Sequence, residues 1–572
     1  MDILNKVSAI SYPKWFIATL TTAFLTIVLG FIGYMPLLDY HILNSLYYTV
    51  RLFFGNFDAP MTGYSIALEF ARWLALFTVF SSIILAGFVV FQEHIKLLRL
   101  SRIAKHHVIC GLNKYSVQLA KDLLERHHQV VVIEKDSTNP YLSVVKSNGG
   151  SIFIGDPRND RILEQARIHT CSFLTIFTDN DTDNLEICLH VQDLLDQSKY
   201  KNANTKVMIH LFEKELEPVI DKLDAIIDRK VIDLQIFNIY EHKAKLLFED
   251  YPLYKLEQKN TLHLLIVGFD QLGENVLLQA CKIAHFGNRK KLKISVVDKE
   301  VKEKKSWFKA RYPKMNKVAE IEFIEVDMKD NAFYEMLANQ YFSVNYIAVC
   351  LEDEQQALIR SLLLMKTYKD TPIVVNISED INLADWINGN RDKFENIYRF
   401  GAINEIASTS VIIDEELDNI AKVIHKEYCL SANKNISWHS LSIFGRGSNR
   451  AQADHIDTKL ALMGLIKEKT SLDTQGGLTL DDYLSVVDNH LERLAEAEHD
   501  RWNAYHFING WDVCPPEVNR DEDKKLHPCL VGWDELDHVC KVKETPYKDY
   551  DRDTVRKLYG ILKKCGYVIK EK

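Results

Sequence analysis

The sequence predicts a membrane α-helical module, then α/β tandem Rossmann-like domains, then a small, mainly α-helical C-terminal domain. Three observations predict it. Two long apolar stretches near the N-terminus lack charge, a series of short apolar strands closed by glycine or an acid occurs twice, and from about residue 436 the apolar spacing turns helical. At about 100–200 residues per domain, 572 residues imply several domains.

Composition sets the class. With 47% hydrophobic and 26% charged residues, disordered and low-complexity chains are excluded. The 70 Lys and Arg against 79 Asp and Glu leave a net charge of −9, so no nucleic-acid partner is expected. Ten cysteines without a CxxC pair point to neither a zinc ribbon nor a disulfide framework, and place the bulk of the chain in a reducing cytosol.

From Trp15 to Leu38 run 24 residues without Asp, Glu, Lys or Arg, and from Trp73 to Gln92 a further 20. About 20 helical residues cover the ~30 Å hydrocarbon core, so both read as spans. The first run is too long for the apolar part of a secretory signal. Lys6 and Lys14 precede the first span, and Lys96, Arg99, Arg102 and Lys105 follow the second; only Arg51 lies between them, beside Asp39, Asp58 and Glu69. The positive-inside rule then puts both termini in the cytoplasm, with the chain in the inner (plasma) membrane.

Between the spans, Tyr40 to Phe54 is apolar enough to re-enter the bilayer as a short helix, which Gly55-Asn-Phe-Asp58 ends before Ala59–Gly63 leads outward. Non-helical backbone is tolerated at membrane depth only where protein or water surrounds it, so such a loop lines a pore; an amphipathic loop on the outer surface is the alternative. This layout resembles the pore module of two-span potassium channels, and Phe54-Gly55-Asn56 is similar to the end of a Gly-Phe-Gly-Asn filter. The resemblance places Thr49, Phe53, Phe54, Gly55 and Asn56 at the filter. Phe53 stands where that filter has its first glycine, and phenylalanine resists the backbone angles that glycine accepts. Poor potassium selectivity is expected. Two spans cannot enclose a pore, so a homotetramer is expected too.

After the second span, His107-Val-Ile-Cys-Gly111 is a short strand ending in glycine, an amphipathic helix follows, and Gln129–Glu134 is a second strand ending in an acid. That is the geometry of a mononucleotide-binding βαβ unit, with phosphates at the helix N-terminus and Glu134 on the ribose. Ser151–Asp156 and Ser172–Phe177 continue the series, the latter leading into Thr178–Asn184. The series resembles the Trk-type, or RCK (regulator of potassium conductance), nucleotide-binding domain through Gly111, Glu134, Gly155, Asp156, Ala166, Asp179, Asp181 and Asn184. The resemblance implies NAD or an adenine nucleotide held by Gly111, Asn113, Ser116, Glu134, Asp156 and Asp179.

The pattern repeats after about 150–160 residues: Leu264–Gly268 with Asp270 and Gly273, then Ile294–Asp298, Glu322–Asp327, Tyr346–Leu351 and Thr371–Asn376. This second unit reads as structural, because the inserted Ala284–Leu292 crowds the neighbouring connection.

In the last part, Ser448–Leu460 reads as a capped helix and Leu491–Trp502 as another. Glu498-His-Asp-Arg-Trp502, Gly510-Trp511, Lys525-Leu-His527-Pro-Cys-Leu530 and Tyr550-Asp551 resemble the ryanodine-receptor repeat (RyR) domain. Aromatic faces can sandwich a base and nearby cations can hold phosphates. Arg450, Arg501, Trp502, Tyr505, Trp511, Lys525, His527 and Tyr550 are therefore the candidate contacts for a nucleotide-derived small molecule. No metal-ligand spacing joins the histidines, and no metal is expected.

The expected division is 1–104 for the pore module, 105–255 and 256–435 for the Rossmann units, and 436–572 for the RyR-like domain. With no substrate domain and no evident catalytic base, no enzyme is expected. The sequence reads as a nucleotide-gated ion channel, in keeping with antiviral signalling by its domain combination. The alternative is a membrane-anchored nucleotide-sensing subunit of a separate potassium transporter.

Overall fold

The computed structural model describes residues 12–57, 65–100, 103–200, 205–213, 216, 231–256, 261–339, 343–378, 389, 394–470 and 476–572. The chain divides into two compact units, Met1–Ile103 and Ala104–Lys572.

In the first unit, helix α1 spans Tyr12–Tyr34, α2 spans Ile42–Arg51 and α3 spans Ile66–Leu100. Trp15–Tyr34 and Ile66–Gly87 are each long and apolar enough to cross a membrane, with mean hydropathies of 2.1 and 1.7. Only 22% of either stretch is buried, whereas the core helix of a soluble protein hides most of its surface. The second apolar stretch thus starts earlier than Trp73, and its helix continues to Leu100. A small core of Tyr34, Leu52, Leu68, Ala71 and Ala75 joins the three helices. Thr78 donates a hydroxyl hydrogen bond to Thr22 across α1 and α3 at 3.1 Å, the kind of polar contact that holds helices together where apolar burial does not. Lys6, Asp58, Ala59–Gly63 and Arg102 lie outside the described residues.

The second unit contains two six-stranded sheets, parallel throughout. The first is β1 (His107–Cys110), β2 (Val130–Glu134), β3 (Ser151–Ile154), β4 (Phe173–Ile176), β5 (Thr205–His210) and β6 (Ile232–Phe237), in the order β3-β2-β1-β4-β5-β6. The second is β7 (His263–Val267), β8 (Leu292–Asp298), β9 (Ala319–Glu325), β10 (Tyr346–Val349), β11 (Ile373–Asn376) and β12 (Ile397–Phe400), in the order β9-β8-β7-β10-β11-β12. The two orders are the same, so the internal repeat is a repeat of topology. Strands β1, β7 and β10 are buried along their whole length, which is why they read as continuous apolar runs rather than alternating ones.

Helix α4 (Lys114–Glu125) follows β1, and α5 (Ile239–Asp250) leaves β6 under an Asn238 cap. Helix α5 packs on α6 (Gln271–Ile283) of the second sheet. Helix α7 (Val301–Arg311) follows β8. The C-terminal part is built on α8 (Ile443–Asp454), the long α9 (Leu480–Ile508) and α10 (Tyr547–Lys564), with Leu465–Lys469 paired antiparallel to Tyr567–Glu571. The helix expected over Ser448–Leu460 begins instead at Ile443, where Ser442 caps it, and breaks at His455. The helix expected from Leu491 begins at Leu480 under a Thr479–Asp482 capping box. One hydrophobic core runs from Leu264 and Ile266 of the second sheet to Ala504, Phe507, Trp511 and Leu530. The inserted Ala284–Leu292 is part of that junction: Arg493 donates to Phe286 O at 3.0 Å, and Arg289 pairs with Asp534 at 2.7 Å.

Candidate functional site

In the first crevice, Gly111 turns the chain at φ +90, where a Cβ would fall 2.7 Å from Thr178 Cγ2 and 2.9 Å from Phe177 O. Glycine is required there on both counts. The next residue, Leu112, donates its N–H to Glu134 Oε2 at 2.8 Å, and Asp136 donates to Glu134 Oε1 at 2.8 Å. Asn113 caps α4, accepting from Tyr115 and Ser116 N–H, while its amide donates to Asp179 Oδ1 at 2.9 Å. Gly111, Asn113, Ser116, Glu134 and Asp179 therefore come together at one helix N-terminus. Glu134 is 6% exposed and both its oxygens accept backbone N–H groups, so its first task is to close the turn. Asp156 stands on the neighbouring strand end and is held by Arg158 at 2.7 Å; that guanidinium also reaches Glu186 at 3.1 Å. The Arg158 hydrogen bonds keep the Asp156 carboxyl below its ordinary range. Arg158 escaped the sequence reading, although it directly follows the Gly155-Asp156-Pro157 turn.

The second crevice repeats the device. Gly268 turns at φ +91, Phe269 N–H donates to Asp298 Oδ2 at 2.9 Å, and Glu300 N–H donates to Asp298 Oδ1 at 2.8 Å. Here Lys304 of α7 adds its ammonium, 3.0 Å from Asp298 and 2.6 Å from Asp270 at the head of α6. Burial raises the Asp298 carboxyl, but the two N–H groups and Lys304 outweigh it and hold it below its ordinary range. A lysine of the chain itself thus stands between the acid and the helix N-terminus where a nucleotide's ribose and phosphates would lie.

The C-terminal candidates separate into two groups. Arg450 is tied to Asp418 by bonds of 2.7 and 2.5 Å, and Arg501, 2% exposed, to Glu498 at 2.7 Å. Lys459 shares that Glu498 carboxylate. Tyr505 donates its hydroxyl to Phe444 O at 2.8 Å. Trp511, 2% exposed, stacks on Phe444 at 5.5 Å and lies under the Arg520 guanidinium at 4.9 Å. Arg501, Tyr505 and Trp511 build the interior, and Arg450, part-exposed, is neutralised by its carboxylate partner as Arg501 is. Lys524 pairs with Asp521 at 3.5 Å, and Lys525 donates to Asn509 O at 3.2 Å.

The other group is Trp502 and His527. Trp502 is half-buried, with the rings of His506 at 4.0 Å and His527 at 5.0 Å. Burial pushes His506 down to about 3 and His527 down to about 4, so both imidazoles are neutral at pH 7. His527 Nδ1 accepts from Cys529 N–H at 3.1 Å. Tyr550 is 59% exposed, edge-on to Tyr547.

Sequence reasoning missed a cavity of about 160 Å³ between the end of the first sheet, helices α5 and α6 and the C-terminal helices α8 and α9, lined by Glu241, His242, Lys245, Gln279, Arg450 and Asp454 among others. Its residues are far apart in sequence, and no local motif marks them. Among the described residues no group of three or more His, Cys, Asp or Glu side chains is placed to hold a metal ion.

Comparison with known proteins assigns two segments. Residues 107–221 match the TrkA-N domain and residues 478–571 the RyR domain. An uncharacterized protein from Methanothermus fervidus is 24% identical over 182 residues, 30% of this chain and 28% of that one, so little more than a quarter of the relative's length is matched. The solved GsuK channel is similar over 70% of this chain and 97% of its own at 14% identity and a TM-score of 0.40, and the GsuK channel bound to NAD over 84% and 90% at 13% and 0.39. The human SLO3 gating ring is similar over 53% and 81% at 9% and 0.36. The chain thus carries a TrkA-N domain in its first sheet and an RyR domain at its C-terminal end.

Proposed function

We propose that the protein is a nucleotide-gated ion channel, a homotetramer of the plasma membrane with both termini in the cytoplasm, and that it acts in antiviral signalling. The observation that carries this reading is continuity. The 35-residue helix α3 runs from an apolar span to Leu100, and the first strand of the TrkA-N domain starts at His107. Residues 101–106 are all of the chain that separates that domain from the helix of the second span.

The first crevice is the site for NAD or an adenine nucleotide, because the chain turns at Gly111 into the N-terminus of α4 with Glu134 and Asp179 alongside. The second crevice is closed by Lys304 and serves as structure. The RyR domain takes the activating ligand, a nucleotide-derived small molecule, against the Trp502 ring. A ligand gates only by binding one arrangement of the assembly better than the other. The reading is of a sensor rather than an enzyme. Release of trapped ions from vesicles containing the purified full chain, with and without NAD and ADP, tests it. Nucleotide-dependent release supports the channel; binding without release supports a regulatory subunit of another transporter.

A further inference from the structure

The C-terminal two-stranded sheet has one open edge. Leu465–Lys469 runs antiparallel to Tyr567–Glu571, with Lys467 opposite Ile569. Lys572 N–H donates to Gly464 O at 2.9 Å and Thr470 N–H donates to Gly566 O at 2.8 Å, which fixes the phase of the ladder. Successive residues of an antiparallel strand turn their N–H and C=O to opposite sides. Gly464, Ile466, Glu468 and Thr470 therefore direct theirs at the partner strand, and Leu465, Lys467 and Lys469 direct theirs away from it. The outer side of the partner strand is engaged, for Ile569 O accepts from Leu478 N–H at 2.8 Å. The outward groups of Leu465, Lys467 and Lys469 have no hydrogen-bond partner among the described residues.

That edge borders a cleft of about 1350 Å³, whose lining also includes parts of α4, the end of α5 and parts of residues 403–420. The cleft exceeds the roughly 300–1,000 Å³ of a small-molecule site. Helix α4 belongs to the TrkA-N domain and Tyr567, also in the lining, to the RyR domain, so an occupant touches both. Each lining lysine or arginine except Lys114 pairs with a lining acid, Lys467 with Asp457 at 2.8 Å and Lys469 with Glu416 at 2.7 Å among them. Lys114 lies over the Tyr115 ring at 5.2 Å. Two further lining carboxylates, Glu249 and Glu405, are exposed and have neither a hydrogen bond nor an ion pair among the described residues. Glu249 stands within electrostatic reach of Lys467 on the open edge.

We propose that this cleft receives an extended basic segment of a partner protein, which adds to the open edge as a third strand and sets Lys or Arg side chains against Glu249 and Glu405. The outward N–H and C=O groups recur every second residue, about 7 Å apart, and another extended backbone carries complementary groups at that repeat. An unpaired edge is a template for such a strand. A small cation satisfies the carboxylates and leaves the edge open, so the two occupants separate in experiment. The site lies within the second unit and is independent of the channel reading.

The test screens the purified full chain against an array of random octapeptides and measures the best binder by fluorescence anisotropy. That peptide is compared with two versions of itself, N-methylated on alternate residues in one phase or in the other. The expected binders carry Lys or Arg, one N-methylated phase binds at least about tenfold more weakly, and the other phase binds as the parent does, because only alternate N–H groups of an added strand meet the edge. Glu249→Gln should weaken binding about tenfold, the effect of a lost hydrogen bond to a charged group. Lys469→Pro, which removes an outward N–H and leaves the ladder intact, should weaken it as well. Gel filtration compares each variant with wild type. An array without binders, or binders rich in Asp and Glu, overturns the proposal. Equal affinity of the two N-methylated phases overturns strand addition, and full displacement of the peptide by spermidine at matching concentration makes the occupant a small cation. A smaller assembly for Lys469→Pro makes it a second copy of this chain, which likewise overturns the partner. Unchanged affinity in a well-folded Glu249→Gln protein overturns the role of that carboxylate.

Discussion

Lys243 is the most consequential single residue outside the crevices. It leaves α5, which follows the first sheet, and its ammonium donates to Asn376 Oδ1 at 3.0 Å and Ser378 Oγ at 2.7 Å at the end of β11 in the second. The Tyr115 ring of α4 lies 5.5 Å away. It is 2% exposed, and burial, with Lys114 adding to it, lowers its pKa to about 7. A lysine whose pKa falls on folding weakens the folded state wherever both states are protonated, below about pH 7, and this penalty fades as pH rises toward the unfolded value of about 10.4. Stability should therefore climb from pH 7 to pH 10, by a contribution on the order of 5 kcal/mol at most, and the climb should flatten in Lys243→Gln. Denaturation midpoints across that range measure it; parallel curves for the two proteins would contradict the assignment. Glu134→Ala orphans the buried amide of Leu112 and releases that of the exposed Asp136, and should cost about 1–3 kcal/mol of stability in the same assay, besides weakening nucleotide binding. Binding lost at full stability would mean that the carboxylate serves the ligand alone.

At the scale of elements, the repeated strand–glycine–helix–strand–acid unit was legible because its chemistry is local: Gly111 and Glu134, then Gly268 and Asp298, sit at fixed places in short apolar runs. The sixth strands, Ile232–Phe237 and Ile397–Phe400, were not, since each has polar residues and lies at a sheet edge. The cations of the C-terminal candidates were visible as cations, but their partners were not: Arg450, upstream of the RyR domain, finds Asp418, 32 residues before it. The same limit hid the core role of Trp511, whose stacking partner Phe444 is more remote still in sequence. Trp511→Ala should therefore cost about 3–5 kcal/mol, as for other buried aromatic residues, whereas Trp502→Ala should leave a well-folded protein with weakened ligand binding. Denaturation and equilibrium binding of both variants separate the two; equal destabilisation would make Trp502 core as well. The Lys304 bridge predicts one adenine nucleotide per chain in the two crevices together, held by the first, and calorimetry on the Trp502→Ala chain, which weakens the RyR site, reads that stoichiometry. Two per chain would show that the bridge yields to ligand.

In the second unit, the elements of the two sheets and the C-terminal helices share a core and polar contacts, among them the ion pair of Lys245 with Asp454 at 2.9 Å and the hydrogen bond that Gln279 donates to Asp454 at 2.8 Å. The C-terminal helices thus pack against elements of both sheets, and α3 leads through residues 101–106 into the first strand of the first sheet. The central claim is that nucleotide binding in the second unit controls ion passage through the first. Current through a planar bilayer containing the purified full chain, recorded while nucleotide is perfused onto the cytoplasmic side and washed away, tests it most directly. The account predicts a conductance that changes on addition and returns on washout; saturable nucleotide binding with an unchanging, silent membrane would contradict it.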